Sequence, residues 1–230
     1  MELSGKTPLL APLRILNLYA CLGGNRYKWD EVAKEANIKI EVTAVELDEE
    51  AAKLYKERFP NDKVIVADAH QYLLDNFKEF DFIWSSPPCP THSRFQTSMK
   101  TIRKMQYPDM KLYQEIIFLD NFFDGKYCVE NVIPFYEPLI AAKKRGRHLY
   151  WTNYTLPNDI NERKNPDLAR AKDLIKTLSN FHDYDFNKYK GKQPINKMAR
   201  NLVDYEAGKK ILGVAIGIIQ KSNTKQISLF

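Results

Sequence analysis

The chain has 230 residues, a formal net charge of +6, and 28% charged against 44% hydrophobic residues. This length supports one well-buried domain with a small appendage, and the composition excludes a largely disordered chain. No apolar run approaches the roughly 18 residues of a membrane span, no signal-peptide pattern opens the chain, and three cysteines (Cys21, Cys89, Cys128) are too few and irregular for a disulfide framework or a zinc site. The expectations are a basic surface suited to a polyanion, reduced thiols, a cytoplasmic location, and no membrane or metal partner.

Arg14 to Tyr19 reads as a first strand, with Gly23-Gly24 as the turn after it and a helix from about Tyr27 to Ala36. Ile40 to Glu46 is a second strand, and Asp48 caps a helix from Glu49 to about Phe59, stopped by Pro60-Asn61-Asp62. Lys63 to Ala67 is a third strand, followed by a short helix near Tyr72 to Phe77. Phe80 to Ser85 and Tyr127 to Glu130 are the fourth and fifth strands, with a helix from Leu112 to Phe123 between them. Strands alternating with helices at this spacing predict an α/β fold, a doubly wound and mostly parallel sheet. After Trp151 the apolar pattern weakens into a small irregular or helical insertion to about residue 198. Tyr205 to about Gln220 then reads as an apolar helix, followed by a polar spacer and a tail.

Open parallel sheets bind ligands at the carboxyl ends of their strands. There the chain places a glycine turn (Gly23, Gly24), a carboxylate able to accept from a ribose diol (Glu46), and Asp68, suited to an adenine amino group. Two glycines without a three-glycine pyrophosphate fingerprint favour S-adenosylmethionine over a dinucleotide. Ser86-Pro87-Pro88-Cys89 follows the fourth strand and brings a thiol on a stiffened loop, and Glu130-Asn131-Val132 brings a carboxylic acid at the fifth. A thiol and an acid side by side suit covalent addition to an electron-poor ring with protonation of that ring, which makes carbon 5 of a pyrimidine nucleophilic.

These residues resemble the DNA cytosine-5 methyltransferases over about residues 14–151, with a fainter similarity at 200–219. Tyr19-Ala20-Cys21-Leu22-Gly23-Gly24 resembles the motif that binds the methionine part of S-adenosylmethionine; Glu46-Leu47 and Asp68-Ala69 resemble those for ribose and adenine. Pro87 and Cys89 match the nucleophile motif and Glu130 the acid motif. Lys143-Lys144-Arg145-Gly146-Arg147 is similar to the motif that supports catalysis, which implies Arg145 and Arg147 beside the thiol. Asn201-Leu202-Val203 is similar to the segment that folds back over the cofactor. The chain departs from the family pattern at Cys21 (usually glycine), Asn17 (usually acidic) and Lys143 (usually glutamine).

The resemblance implies a catalytic and cofactor domain at 1–151, a small target-recognition lobe at 152–198, a returning C-terminal helix at 199–220 and a flexible tail at 221–230. It also implies methyl transfer to a flipped-out cytosine in double-stranded DNA, in a bacterial or phage-infected cell, as in restriction-modification. So short a lobe implies a short or loose recognition sequence. The alternatives are an RNA cytosine-5 methyltransferase and a catalytically silent DNA- or cofactor-binding module. Thr91 to Pro108, with Arg94, Lys100, Arg103 and Lys104, reads as a phosphate-touching loop that closes the site. His92 is either a phosphate- or base-positioning residue or an ordinary surface histidine. The tail Gln226-Ile227-Ser228-Leu229-Phe230 resembles peptides that bind the bacterial sliding clamp through Gln226, Leu229 and Phe230.

Overall fold

The computed structural model describes residues 11–98, 102, 104–158, 160, 163, 166 and 171–219. Five parallel strands, β1 (Leu13–Leu18), β2 (Ile40–Glu46), β3 (Lys63–Val66), β4 (Phe82–Ser85) and β5 (Lys126–Val132), are joined by two antiparallel ones, β6 (Lys143–Arg145) and β7 (His148–Thr152). The sheet order is β3-β2-β1-β4-β5-β7-β6. The doubly wound, mostly parallel sheet expected from the sequence is therefore present. The chain order reverses between β1 and β4, which opens a crevice at their carboxyl ends.

Side chains alternate faces along a strand, and here both faces are buried. Leu16, Leu18, Ile83, Val129, Leu149 and Trp151 point to one side, under helices α3 (Ala69–Asn76) and α5 (Lys111–Phe122). Ile15, Phe82, Trp84, Cys128 and Tyr150 point to the other, under α1 (Trp29–Glu35) and α8 (Tyr205–Ala215). The central strands read as near-continuous apolar runs because neither face meets water. Helix α2 (Glu49–Arg58) is capped by the Asp48 carboxylate, which accepts from Ala51 N at 3.0 Å. A four-residue helix, α4 (Phe95–Ser98), opens the loop after β4.

Residues after 152 do not stand apart. Helices α6 (Leu174–His182) and α7 (Ile195–Arg200) send Leu178 and Met198, with Phe186 and Tyr189, into one core with Leu22, Ala51 and Leu54. Tyr189 also donates to Asp48 Oδ2 at 2.7 Å. The aromatics of this segment are anchors on the cofactor end of the domain.

Two elements were not legible beforehand. Strands β6 and β7 are five residues or shorter, and only their mutual ladder and that of β7 with β5 make them strands. Helix α8 ends at Ala215 rather than near residue 220, because Gly217 turns left-handed (φ +84°) and Ile218 N bonds back to Gly213 O.

Glu115 of α5 lies wholly buried under the crevice. It accepts from the hydroxyls of Tyr19 (2.6 Å, beyond β1) and Ser85 (2.6 Å, end of β4), and His70 Nδ1 of α3 lies 2.9 Å away. Replacing it strands two buried hydroxyls, each costing on the order of 1–3 kcal/mol. Glu115→Leu is expected to lower unfolding free energy by about 3 kcal/mol in urea titrations; a loss below about 1 kcal/mol would show that the hydroxyls find other acceptors.

Candidate active site

The carboxyl ends of β1, β2, β4 and β5 frame a cavity of about 1100 Å³, walled on the far side by α6, α7 and residues 201–204. The strand-end loops build it from the bottom up. Beyond β1 the chain takes left-handed turns at Tyr19 (φ 55°) and Cys21 (φ 48°), a conformation that costs a residue with a Cβ about 1–2 kcal/mol. Glu46 at the end of β2 compensates by accepting Cys21 N at 2.8 Å and Asp48 N at 2.9 Å. Burial raises the Glu46 carboxyl above its ordinary range, against the pull of those amides. The Cys21 thiol is raised to about 12 by burial and by Glu46, which leaves it an inert packed side chain. Asn17 accepts from Asn25 at 2.7 Å, so a neutral pair occupies the place expected to be acidic.

Gly24 meets the segment that returns from α7: a Cβ there would stand 2.3 Å from Val203 O and 2.6 Å from Leu202 Cγ. Asn201, Leu202 and Val203 thus fold back against the first turn, as anticipated. Tyr19, Ala20, Cys21, Gly24, Glu46 and Leu47 line the cavity, as do Asp68, Ala69, Pro87 and Asn201. Leu22 and Gly23 do not. The left-handed turn at Cys21 rolls Leu22 into the core with Met198, and Gly23 lies against the Phe59 and Tyr55 rings. These two shape the turn from behind. The cavity wall offers the half-buried Glu46 carboxylate, the Asp68 carboxylate at the α3 N-cap and apolar Leu47 along one rim, acceptors and an apolar face that fit an adenosine.

The nucleophile loop and the acid strand are joined directly. Asn131 donates from its side-chain amide to Pro87 O at 3.0 Å and accepts Val132 N at 2.9 Å. Both Cys89 and Glu130 line the cavity, and the charge of Glu130 acts on the thiol. Burial first, then Glu130, pushes Cys89 up to about 11, only slightly offset by Lys197 of α7. Arg147 lines the cavity as expected. Arg145 does not: its guanidinium donates to the carbonyls of Pro157 (2.7 Å) and Leu156 (3.2 Å) and to Asn158, which draws it toward the 156–158 segment. The expected two-arginine activation of the thiol is therefore absent in this state, and Arg145 acts as a brace for the loop after β7.

His92 is buried, 1% exposed, neither a surface residue nor a ligand of the cavity. It is paired with the Tyr136 hydroxyl, and its carbonyl accepts Phe135 N. The closing loop is held at its base by Asp109 N on Thr91 Oγ1 (3.0 Å) and by buried Gln96, which donates to Pro90 O (2.7 Å) and accepts Gln106 N. Arg94 lines the cavity mouth beside exposed Phe95, while Lys100 and Arg103 lie outside the described residues. The sequence reading missed Asn131 as a bridge, His148, whose Nε2 lies 3.6 Å from Glu130 Oε1, and buried His182 in the far wall. Burial and the charges of Arg163 and Arg58 push His182 down to about 4, against Asp204. The signal for His148 lay in the register of a strand that was itself unread.

A family model described as C-5 cytosine-specific DNA methylase matches residues 13–132. Human tRNA (cytosine(38)-C(5))-methyltransferase is 31% identical over 87 residues, 37% of this chain, and the rat enzyme of the same name is 30% identical over 87 residues. The match spans 22% of the length of each of these relatives. Among solved structures, DNMT2 of Spodoptera frugiperda superposes at a TM-score of 0.38 with 24% identity, covering 52% of this chain and 35% of that one. The methyltransferase EhMeth of Entamoeba histolytica gives 0.38 with 16% identity, covering 56% and 41%. Among the described residues no helix is long and apolar enough to cross a membrane, and no cluster of His, Cys, Asp and Glu is suited to a metal ion.

With its thiol raised to about 11, Cys89 carries roughly one thiolate in ten thousand at pH 7. Its alkylation by iodoacetamide, followed by peptide mapping, is expected to accelerate about tenfold per pH unit from pH 7 to 10. Glu130→Gln removes a negative charge and should move this curve to lower pH. A wild-type plateau below pH 9 would contradict the arrangement.

Proposed function

Because the chain belongs to the C-5 cytosine-specific DNA methylase family, we propose that it methylates carbon 5 of a flipped-out cytosine in double-stranded DNA. The observation that carries this reading is the joining of the nucleophile loop to the acid strand through Asn131 and Pro87, which sets Cys89 and Glu130 into one cavity. The cofactor is S-adenosylmethionine, which supplies an electrophilic sulfonium methyl group when bound. Glu46 would hold the ribose hydroxyls, Asp68 the adenine amino group, and the backbone of Tyr19 to Cys21 and of Gly24, with Asn201, the methionine chain. Leu47 would cover one face of the adenine.

Cytosine carbon 5 is a poor nucleophile. Cys89 Sγ adds to carbon 6 while Glu130 gives a proton to ring nitrogen 3, and the bond so formed leaves an electron-rich carbon 5. After methylation, loss of the carbon-5 proton expels the Cys89 thiolate, and loss of the proton on ring nitrogen 3 restores the neutral aromatic ring. Burial and Glu130 raise the thiol, so its ionisation calls for positive charge beside it, with Arg147 and Lys197 as the cations at hand. Arg94 at the mouth is suited to a phosphate, and Phe95 to a base left without its partner. The segment after β7 would read the target while packed on the catalytic domain through Leu178, Phe186, Tyr189 and Met198 rather than as a separate lobe.

A second reading, methylation of tRNA, is favoured by the human and rat relatives, whose names give tRNA as substrate. The tail is outside the described residues; its likeness to clamp-binding peptides extends the proposal to tethering on DNA through Gln226, Leu229 and Phe230.

Incubation with tritiated S-adenosylmethionine and mixed-sequence duplex DNA, beside tRNA, is expected to label DNA as 5-methylcytosine, and Cys89→Ala to abolish the label. Label confined to tRNA would replace the DNA reading with the RNA one. Cofactor binding without transfer to either would make the chain a binding module.

A further inference from the structure

In the β5–β7 ladder Glu130 pairs with Tyr150, and Val132 with His148. Direct partners in an antiparallel ladder share a face, as do alternate residues along a strand. Glu130, Val132, His148 and Tyr150 therefore stand on one side of the sheet. A diagonal across such a ladder is within reach of long side chains. Here it is closed, with His148 Nε2 3.6 Å from Glu130 Oε1. The two differ in their access to water: the Glu130 side chain is 8% exposed and that of His148 21%. Both line the cavity, and the imidazole is the more exposed of the two.

We propose that His148 is the positioning residue of the acid step, holding Glu130 and handing it a proton from solvent before each transfer to cytosine. This rests on the site being a cytosine methyltransferase. The protons balance without any change of oxidation state. The imidazolium N–H of His148 protonates the Glu130 carboxylate, and the neutral imidazole takes a proton from water. The Glu130 O–H so formed gives its proton to ring nitrogen 3, which releases a proton to water when the cysteine leaves. The more exposed imidazole gives the buried carboxyl a proton partner that meets water more readily than the carboxyl itself does.

The charged and titratable groups facing this pair come from every neighbouring element. Cys128 of β5 and Cys89 of the loop after β4 both feel the charge of Glu130. Tyr150 of β7 stands beside His148 with ring centroids 6.5 Å apart, and Arg147 lines the cavity from the β6–β7 turn. Lys143 of β6 acts on Cys128, and Lys197 of α7 on Cys89. Among these residue types, imidazole is the one that ordinarily titrates between pH 5 and 8. A proton donor is lost as pH rises through its midpoint, so the relay predicts a falling limb there.

The test has two readouts. The protein has four histidines, so the His148 imidazole resonance is assigned by its loss in His148→Gln. Its NMR titration midpoint in the free protein is expected to drop by about one pH unit in Glu130→Gln, since a carboxylate favours the imidazolium. An unmoved midpoint overturns the coupling. Single-turnover methyl transfer across pH 5.5–9 is then compared between wild type and His148→Gln. Loss of the falling limb, with a rate about tenfold lower at pH 6, supports the relay. Superimposable profiles reduce the pair to a structural contact. A wild-type protein that transfers no methyl group overturns the proposed function and the relay with it, while the titration still decides the Glu130–His148 coupling.

Discussion

A single buried carboxylate fixes the floor on which everything else stands. Glu115 has no exposed surface, and a carboxylate without partners in that position would be costly. It is tolerated because Tyr19, Ser85 and His70 converge on it from three different elements. Two of those donors sit at the carboxyl ends of neighbouring parallel strands, β1 and β4. The network thus holds the cofactor turn and the nucleophile loop at a fixed separation. A partly satisfied version would be worse than an apolar core, so each donor is bound to stay in place.

Above that floor the reactive groups are kept quiet. Burial and the nearby Glu130 hold the Cys89 thiol protonated, and the guanidinium that could have countered this, Arg145, is committed to loop carbonyls. A low-dielectric cavity makes each charge that enters with a substrate act strongly. The same surroundings that suppress the free thiol would magnify the effect of an incoming cation. The strained turns at Tyr19 and Cys21 belong to the same economy of form: two residues held left-handed at the strand end, with Glu46 accepting the amide of the second.

The segment after β7 serves the cofactor end. Phe186 and Tyr189, which in sequence could equally have faced nucleic acid, lie in the core with Leu22 and Leu54. Leu178 and His182 form the far wall of the cavity. The segment that would read a target therefore shares a hydrophobic cluster with α2 and the turn after β1, and movements of α6 or α7 would be felt at Gly24.

The sequence by itself determined the five parallel strands and the ends at which Cys89, Glu130, Glu46 and Asp68 would stand. Those features rest on local apolar runs, caps and turns that a short window of residues encodes. Only the tertiary structure decided which neighbours those side chains would meet. Strands β6 and β7 exist through pairing across the chain, so neither the diversion of Arg145 nor the approach of His148 to Glu130 could be read before their register was known. Leu22 and Gly23 carried a cofactor motif in sequence, yet one left-handed residue before them turned both away from the cavity. Periodicity specifies which face of an element is apolar; it does not specify what is brought against that face, because the partners come from residues tens of positions away and are chosen by packing.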